Sequence, residues 1–517
     1  MEHLSPTGHT FYKNLEKALR TRQDFFDNIE TSERYHVVGV GKIITNAYER
    51  LRNVSENAEE HLLLQRAIRR FLRRLFLTLD SNDIANSGTE LITELTMARY
   101  LQNDAIPTET IEKVSQLVLD HANARDRLKR QVRARKLETY TSDALSVEIA
   151  ELLSPHFFTS AVTDLIYQYY MRSLDTRNLF GHVKPKDYDM ALFVAIYASI
   201  FHADEAQIRH EYLKRFKVTP NSADFYKANK SIDKLIASHT TDVMRKAIDR
   251  QGAPFRILNN MLSSDEFDVL KLLANRTTFL TNYELEIANS YDKISTSINR
   301  GVVRSILFLL VTKTLLGVAV EAPFDIAISG QVILLPLLLN ILFPPIYMLL
   351  LRFTILMPDQ ANTSALTSEI DKALFHVNGP VVLPRPQRFG IGYQLVYAAV
   401  FIGVFALVIW LLSMLNFNWL QVVIFFFFVS AASFLGFRLA RTVREFEVIA
   451  SRQNFGTVIR DFLYMPFVIL GRWVSEKYAK INIVANVLDM FIELPLKTIL
   501  HTIRQWGRFI SNKKDDL

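Results

Sequence analysis

The sequence predicts an all-α, polytopic membrane protein: a large N-terminal cytoplasmic helical domain, four transmembrane helices in two hairpins, and C-terminal amphipathic helices. Three observations predict it. Four apolar runs of near span length all lie beyond residue 300. The first 300 residues carry helical rather than strand periodicity. The connections between the apolar runs alternate between basic and free of Lys and Arg.

The bulk composition hides a split. Of 60 basic and 53 acidic residues, residues 1–300 hold 41 and 40, so nearly all of the net +7 travels with the apolar half. Basic loops beside membrane spans account for the high pI better than a nucleic-acid partner does. All four Trp (Trp410, Trp419, Trp473, Trp506) also lie in that half, where an amphipathic ring suits a lipid interface. The chain has no Cys, which excludes disulfides, thiolate metal sites and a Cys nucleophile.

Residues 1–300 read as a string of amphipathic helices, with a break between two lobes expected near 138–155. The first thirty residues contain charges but no apolar core of a secretory signal, and neither end fits a lipidation pattern. From Glu59 to Leu79, the residues Leu64, Ile68, Phe71, Leu72 and Leu75 share one face. Ser154 before Pro155 reads as a helix N-cap, and Ser263 with Glu266 has capping-box spacing.

The spans follow: Val302–Val320, Val332–Leu351, Leu395–Leu415, and Val422–Phe437 lengthened by Trp419. Each approaches the roughly 20 residues that a ~30 Å core demands. Glu321–Gln331 and Asn416–Asn418 carry no Lys or Arg. Arg300, Arg304, Arg352, Lys372, Arg385, Arg388, Arg438, Arg441 and Arg444 flank the other ends. The positive-inside rule then puts both termini in the cytoplasm, at a plasma or inner membrane. The expected divisions are 1–300, a first hairpin over 301–352, a cytoplasmic connection over 353–388, a second hairpin over 389–438, and a tail over 439–517. Apolar residues along 456–512 alternate with charges around Pro495, which suggests helices lying in the headgroup region or packed on the bundle.

Lys313 is the most informative residue. It lies nine residues beyond Arg304, about 13 Å deeper along a helix, near the middle of the core. A Lys there costs about 2.5–3.5 kcal/mol on insertion scales, so compensation is expected. Asn340 arrives at similar depth on the second span, where Pro344 and Pro345 leave nearby carbonyls without donors. Lys313 is expected either to bind Asn340 and those carbonyls or to reach water through its long stem. Glu321 and Asp325, around Pro323, are expected at the outer mouth of the first hairpin, as an interfacial cap or a cation entrance. Arg66, Arg69, Arg70, Arg73 and Arg74 form a basic helix face that would suit anionic lipid headgroups or an acidic partner, or would be a solvated face paired with Glu56, Glu59 and Glu60. A second basic segment runs from Arg125 to Lys136. His202, Asp204, Glu205, His210 and Glu211 match no metal motif. No nucleotide, dinucleotide or hydrolase motif occurs, so no cofactor is expected, and an enzyme acting on lipid or a membrane-embedded substrate is an open reading with no motif behind it. Two other functions remain: a membrane-anchored interaction or scaffold module with a cytoplasmic protein partner, and an oligomeric channel or transporter with its pathway near Lys313 and Asn340.

Overall fold

A computed structural model describes residues 4–37, 62–78, 84–174, 176–181, 185–264, 268–376, 390–449 and 455–481. All regular structure among them is helical. In chain order the main helices are α1 (Pro6–Thr31), α2 (Leu63–Thr78), α3 (Ser87–Met97), α4 (Thr108–Leu128), α5 (Ala144–Leu153), α6 (Thr159–Ser173), α7 (Tyr188–Ile200), α8 (Glu205–Arg215) and α9 (Phe225–Ile236). Then come α10 (His239–Gln251), α11 (Ala253–Ser263), α12 (Arg276–Leu316), α13 (Ala322–Ser329), α14 (Leu334–Thr354), α15 (Gln360–Leu374), α16 (Ile391–Met414), α17 (Trp419–Arg444) and α18 (Phe455–Ile481).

The chain divides into two compact units. One holds residues 10–168 and 184–246; the other holds 1–9, 169–183 and 247–481. Residues 247–300, which the sequence groups with the N-terminal helices, pack with the apolar half.

The first unit is built as its periodicity demands. Ile68 and Leu72 of α2 meet Leu91 and Leu95 of α3, Val114 and Val118 of α4, and Leu145 and Ile149 of α5 in one core. The arginines of α2 occupy the opposite face because only one stripe of the helix is apolar. Helix α7 is apolar on every side and buried on nearly every side, which its 13 residues permit inside a soluble-type core but not across a bilayer. Two N-cap expectations fail here and next door. Ser154 ends α5, and the next helix starts only at Thr159. Ser263 ends α11; a short helix at Val269–Leu272 is capped by Asp268 instead, and Glu266 lies outside the described residues.

The second unit contains four helices long and apolar enough to cross a membrane: Arg276–Ile328, Leu334–Thr354, Gly392–Met414 and Trp419–Arg444. The first is one continuous helix of 53 residues, about 80 Å, far longer than a ~30 Å core. Its leading half packs with α11 and α15: Tyr283 donates to the Pro254 carbonyl (2.8 Å), and Arg276 grips Asp371 through two bonds (2.7 and 2.8 Å). Its trailing half packs on α14 and α17 through Leu309, Met348, Leu351, Phe428 and Ala432. The helix passes through a π turn at Gly317–Glu321 and ends at Gly330. Gly330 has φ +73°, the left-handed conformation that closes a helix without a Cβ penalty. Leu307, Phe308, Val311 and Leu315 face outward, as lipid contact requires.

Helix α18 lies along α17. Tyr464 donates to the Ser433 carbonyl (2.8 Å), Phe467 meets the rings of Phe405 and Phe426, and Gly471 sits directly on the Ser430 backbone. This part of the expected amphipathic tail therefore packs on the bundle; residues 482–517 lie outside the described residues.

Candidate functional site: a polar cluster inside the apolar bundle

Lys313, Glu321, Asp325, Asn340 and Gln421 are all 0% exposed, although every one sits on a helix apolar enough for a membrane. Their side chains turn inward, toward one another. Lys313 pairs with Glu321 Oε1. Asn340 Nδ2 donates to Glu321 Oε2 at 2.7 Å and to the Gln421 carbonyl at 3.3 Å. Gln421 Nε2 donates to both oxygens of Asp325 (2.9 and 3.1 Å), and Asn418 Nδ2 donates to Asp325 Oδ1 at 2.6 Å. The Phe428 ring lies 5.0 Å from the Lys313 ammonium.

The backbone explains why these groups meet. In a regular α-helix, eight residues advance about 800°, which would leave Glu321 about 80° round from Lys313. The π turn at Gly317–Glu321 absorbs one residue. The spacing is then effectively seven, about 700°, and both side chains face one direction two turns apart. Asp325 follows four residues later on the same face. At the start of α17, Asn418 and Gln421 form a reciprocal capping box. Gln421 N–H donates to Asn418 Oδ1 (2.9 Å) and Asn418 N–H to Gln421 Oε1 (3.1 Å). With both amide oxygens engaged at the cap, both NH₂ ends are turned toward Asp325. Phe324 against Trp419 (5.6 Å between ring centroids) holds α13 beside this cap.

The cluster is therefore a ladder. It starts at the half-buried Asn418, at the end where the turns lie, and runs through Asp325, Gln421, Asn340 and Glu321 to Lys313. Beyond Lys313 the bundle is filled by Leu309, Met348, Phe428, Ala432 and Leu351. Glu321 accepts at both oxygens, from Lys313 and from Asn340, and these bonds offset part of the cost of taking the pair out of water. Within this cluster, Asn340 Oδ1 is buried without a donor.

Each residue anticipated from sequence has a definite place. Lys313 and Asn340 do come together, but through Glu321 rather than directly, because the amide presents its NH₂ end. Pro344 and Pro345 are buried within a helix that continues through them and do not supply the ligands of Lys313. Glu321 and Asp325 are both buried; Asp325 lies at the turn end beside Asn418, and Glu321 lies one helical turn further in. Asn418 and Gln421 were not anticipated; the Asn-x-x-Gln spacing at the head of an apolar run was the available signal.

The arginine face of α2 is largely consumed within its own unit. Arg69 pairs with Asp143 (3.2 Å) and Asp204 (3.1 Å), Arg73 with Glu138, and Arg74 with Glu94 (2.7 Å). Arg66 and Arg70 also have partners, and Glu56, Glu59 and Glu60 lie outside the described residues. In the second basic segment, Arg127 donates to the Pro220 carbonyl (2.7 Å) and Lys136 to Asp233 (2.7 Å).

His210 and Glu211 gather with Glu151. His210 Nε2 lies 2.7 Å from Glu151, which also pairs with Lys214, while Tyr197 donates to Glu211 at 3.0 Å. The Lys214 ammonium occupies the place a cation would take, so this is an ion-pair network. Burial pushes the Glu151 carboxyl up, but hydrogen bonds from His210 and Lys214 outweigh it and bring it to about 2.

Comparison with family models, with curated proteins and with solved structures finds no match.

Proposed function

We propose that this chain is a multi-pass membrane protein with both termini on the cytoplasmic side, crossing as two hairpins, and that its bundle is an oligomeric channel or transporter for a small ion. The observation that carries the ion reading is the buried ladder from Asn418 to Lys313. An anchor needs only apolar helices. Charged and amide groups within a span cost insertion energy and are the usual mark of an ion or proton path. Four spans per chain are few for a carrier, which is the argument for an oligomer.

A second reading, a scaffold module held at the inner leaflet with a cytoplasmic protein partner, is supported by the separately cored helical unit of residues 10–168 and 184–246. In that reading anionic lipid headgroups would meet whatever basic surface the internal pairs leave over.

Proteoliposomes separate the two. The double variant Lys313→Met/Glu321→Gln removes both charges together. The transport reading expects normal reconstitution with ion flux abolished. Unchanged flux, or wild-type vesicles with none, would leave the scaffold reading, and proteins co-purifying with the full chain would then define the activity.

A further inference from the structure

The ladder carries an odd charge. Lys313 contributes one positive charge, and Glu321 and Asp325 one negative charge each when ionised. Every other side chain touching the two carboxylates is a neutral amide: Asn340 on α14, Asn418 and Gln421 at the head of α17. The remaining charges of these helices stand well away in sequence. Arg304 is nine residues from Lys313, Arg352 is twelve residues from Asn340, and Arg438 is seventeen residues from Gln421. Helix α16 has no charged residue. On α18, Arg472 and Glu476 are exposed and paired with each other (2.7 Å), Lys477 is exposed, and the side chains of Arg460, Asp461 and Lys480 lie outside the described residues. Among the described residues, one buried carboxylate is thus without a counter-charge, a condition strongly disfavoured away from water.

We infer that Glu321 is a proton-binding residue, taking up and releasing one proton against a fixed Asp325 carboxylate, with the Asn340 amide turning over between the two forms. Asp325 accepts from both capping-box amides, whose donors cannot turn away without breaking the cap. Glu321 differs, because its Oε2 meets Asn340, an amide with an unengaged Oδ1. Half a turn of that amide gives up its longer bond to the Gln421 carbonyl (3.3 Å) and replaces an N–H donor with an oxygen that accepts the O–H of a protonated Glu321. In that form Lys313 balances Asp325 and the cluster is neutral. A metal cation fits poorly. It requires about six oxygen ligands, whereas the groups aimed into this cluster are mostly N–H donors. The inference rests on the ion-transport reading for its purpose, but not for its chemistry.

The test is infrared spectroscopy of the full chain in lipid nanodiscs, taken between about pH 9 and about pH 5, the range in which a useful proton carrier works. The expected result is a carboxylic-acid carbonyl band that grows as the pH falls and shifts in heavy water. It should vanish in Glu321→Gln, which is isosteric with the protonated acid and should keep the fold. It should also vanish in this range in Asp325→Asn, which removes the odd charge and leaves Glu321 ionised beside Lys313. No such band in the wild type, or a band unchanged in Glu321→Gln, overturns the inference. So does a sodium-dependent rise in thermal midpoint without the band. Flux measured in parallel is a separate readout: a band without flux keeps the proton site and removes the transport reading.

Discussion

Lys313 illustrates how a single residue can be located by its cost before its partner is known. Depth along a helix and the energy of a buried ammonium require compensation, and the structure supplies it through Glu321. Lys313→Met alone strands the Glu321 carboxylate and should cost on the order of 3–5 kcal/mol. Adding Glu321→Gln should recover part of that loss, because only the amide-held Asp325 carboxylate then remains. Thermal midpoints of the full chain in detergent measure both; equal midpoints for the single and double variants would mean the pair is not coupled. Glu151 tests the other unit. Its folded value of about 2 lies below the roughly 4.3 of an unfolded Glu. Its stabilising contribution is therefore fully present above about pH 4.3 and is lost as the pH falls toward about 2. Glu151→Gln should flatten the fall in stability over that acid window, with little pH dependence of its own elsewhere.

At the scale of elements, the spans were legible because twenty apolar residues are a property of the chain itself. Helices α14, α16 and α17 begin and end within a few residues of the expected runs, except that α17 continues to Arg444. The π turn was not legible. Pro323, which cannot donate to the carbonyl four residues back, marks the place without fixing the type of turn, and the extra residue is held by contacts of Gly317 and Glu321 with α14. The same holds for α18, whose docking depends on a close approach. A Cβ at Gly471 would lie 2.2 Å from the Ser430 carbonyl oxygen, and backbone cannot yield there. Gly471→Ala should loosen α18 from α17 at a cost of about 1–3 kcal/mol. Faster proteolysis within 455–481, with α14 and α17 still protected, is the expected readout; unchanged digestion would place α18 elsewhere.

For the whole molecule, the prediction concerns sidedness. The absence of native Cys permits single substitutions at Ser329, Asn378, Asn416 and Ser511 without background. Positions 329 and 416 should react with an impermeant thiol reagent from outside intact cells, and 378 and 511 only after permeabilisation. Labelling of 378 from outside would invert or break the two-hairpin topology. By itself the sequence determined the helical class, the four apolar spans and the depth at which a charge would need help, because each follows from composition and periodicity along the chain. Tertiary structure alone decided that the two carboxylates near the first hairpin's turn are buried, that a capping box supplies the amides that hold one of them, and that residues 247–300 pack with the apolar half. Those outcomes depend on which faces of distant segments are brought together, and a polar group's partner is chosen by geometry in space rather than by distance along the sequence.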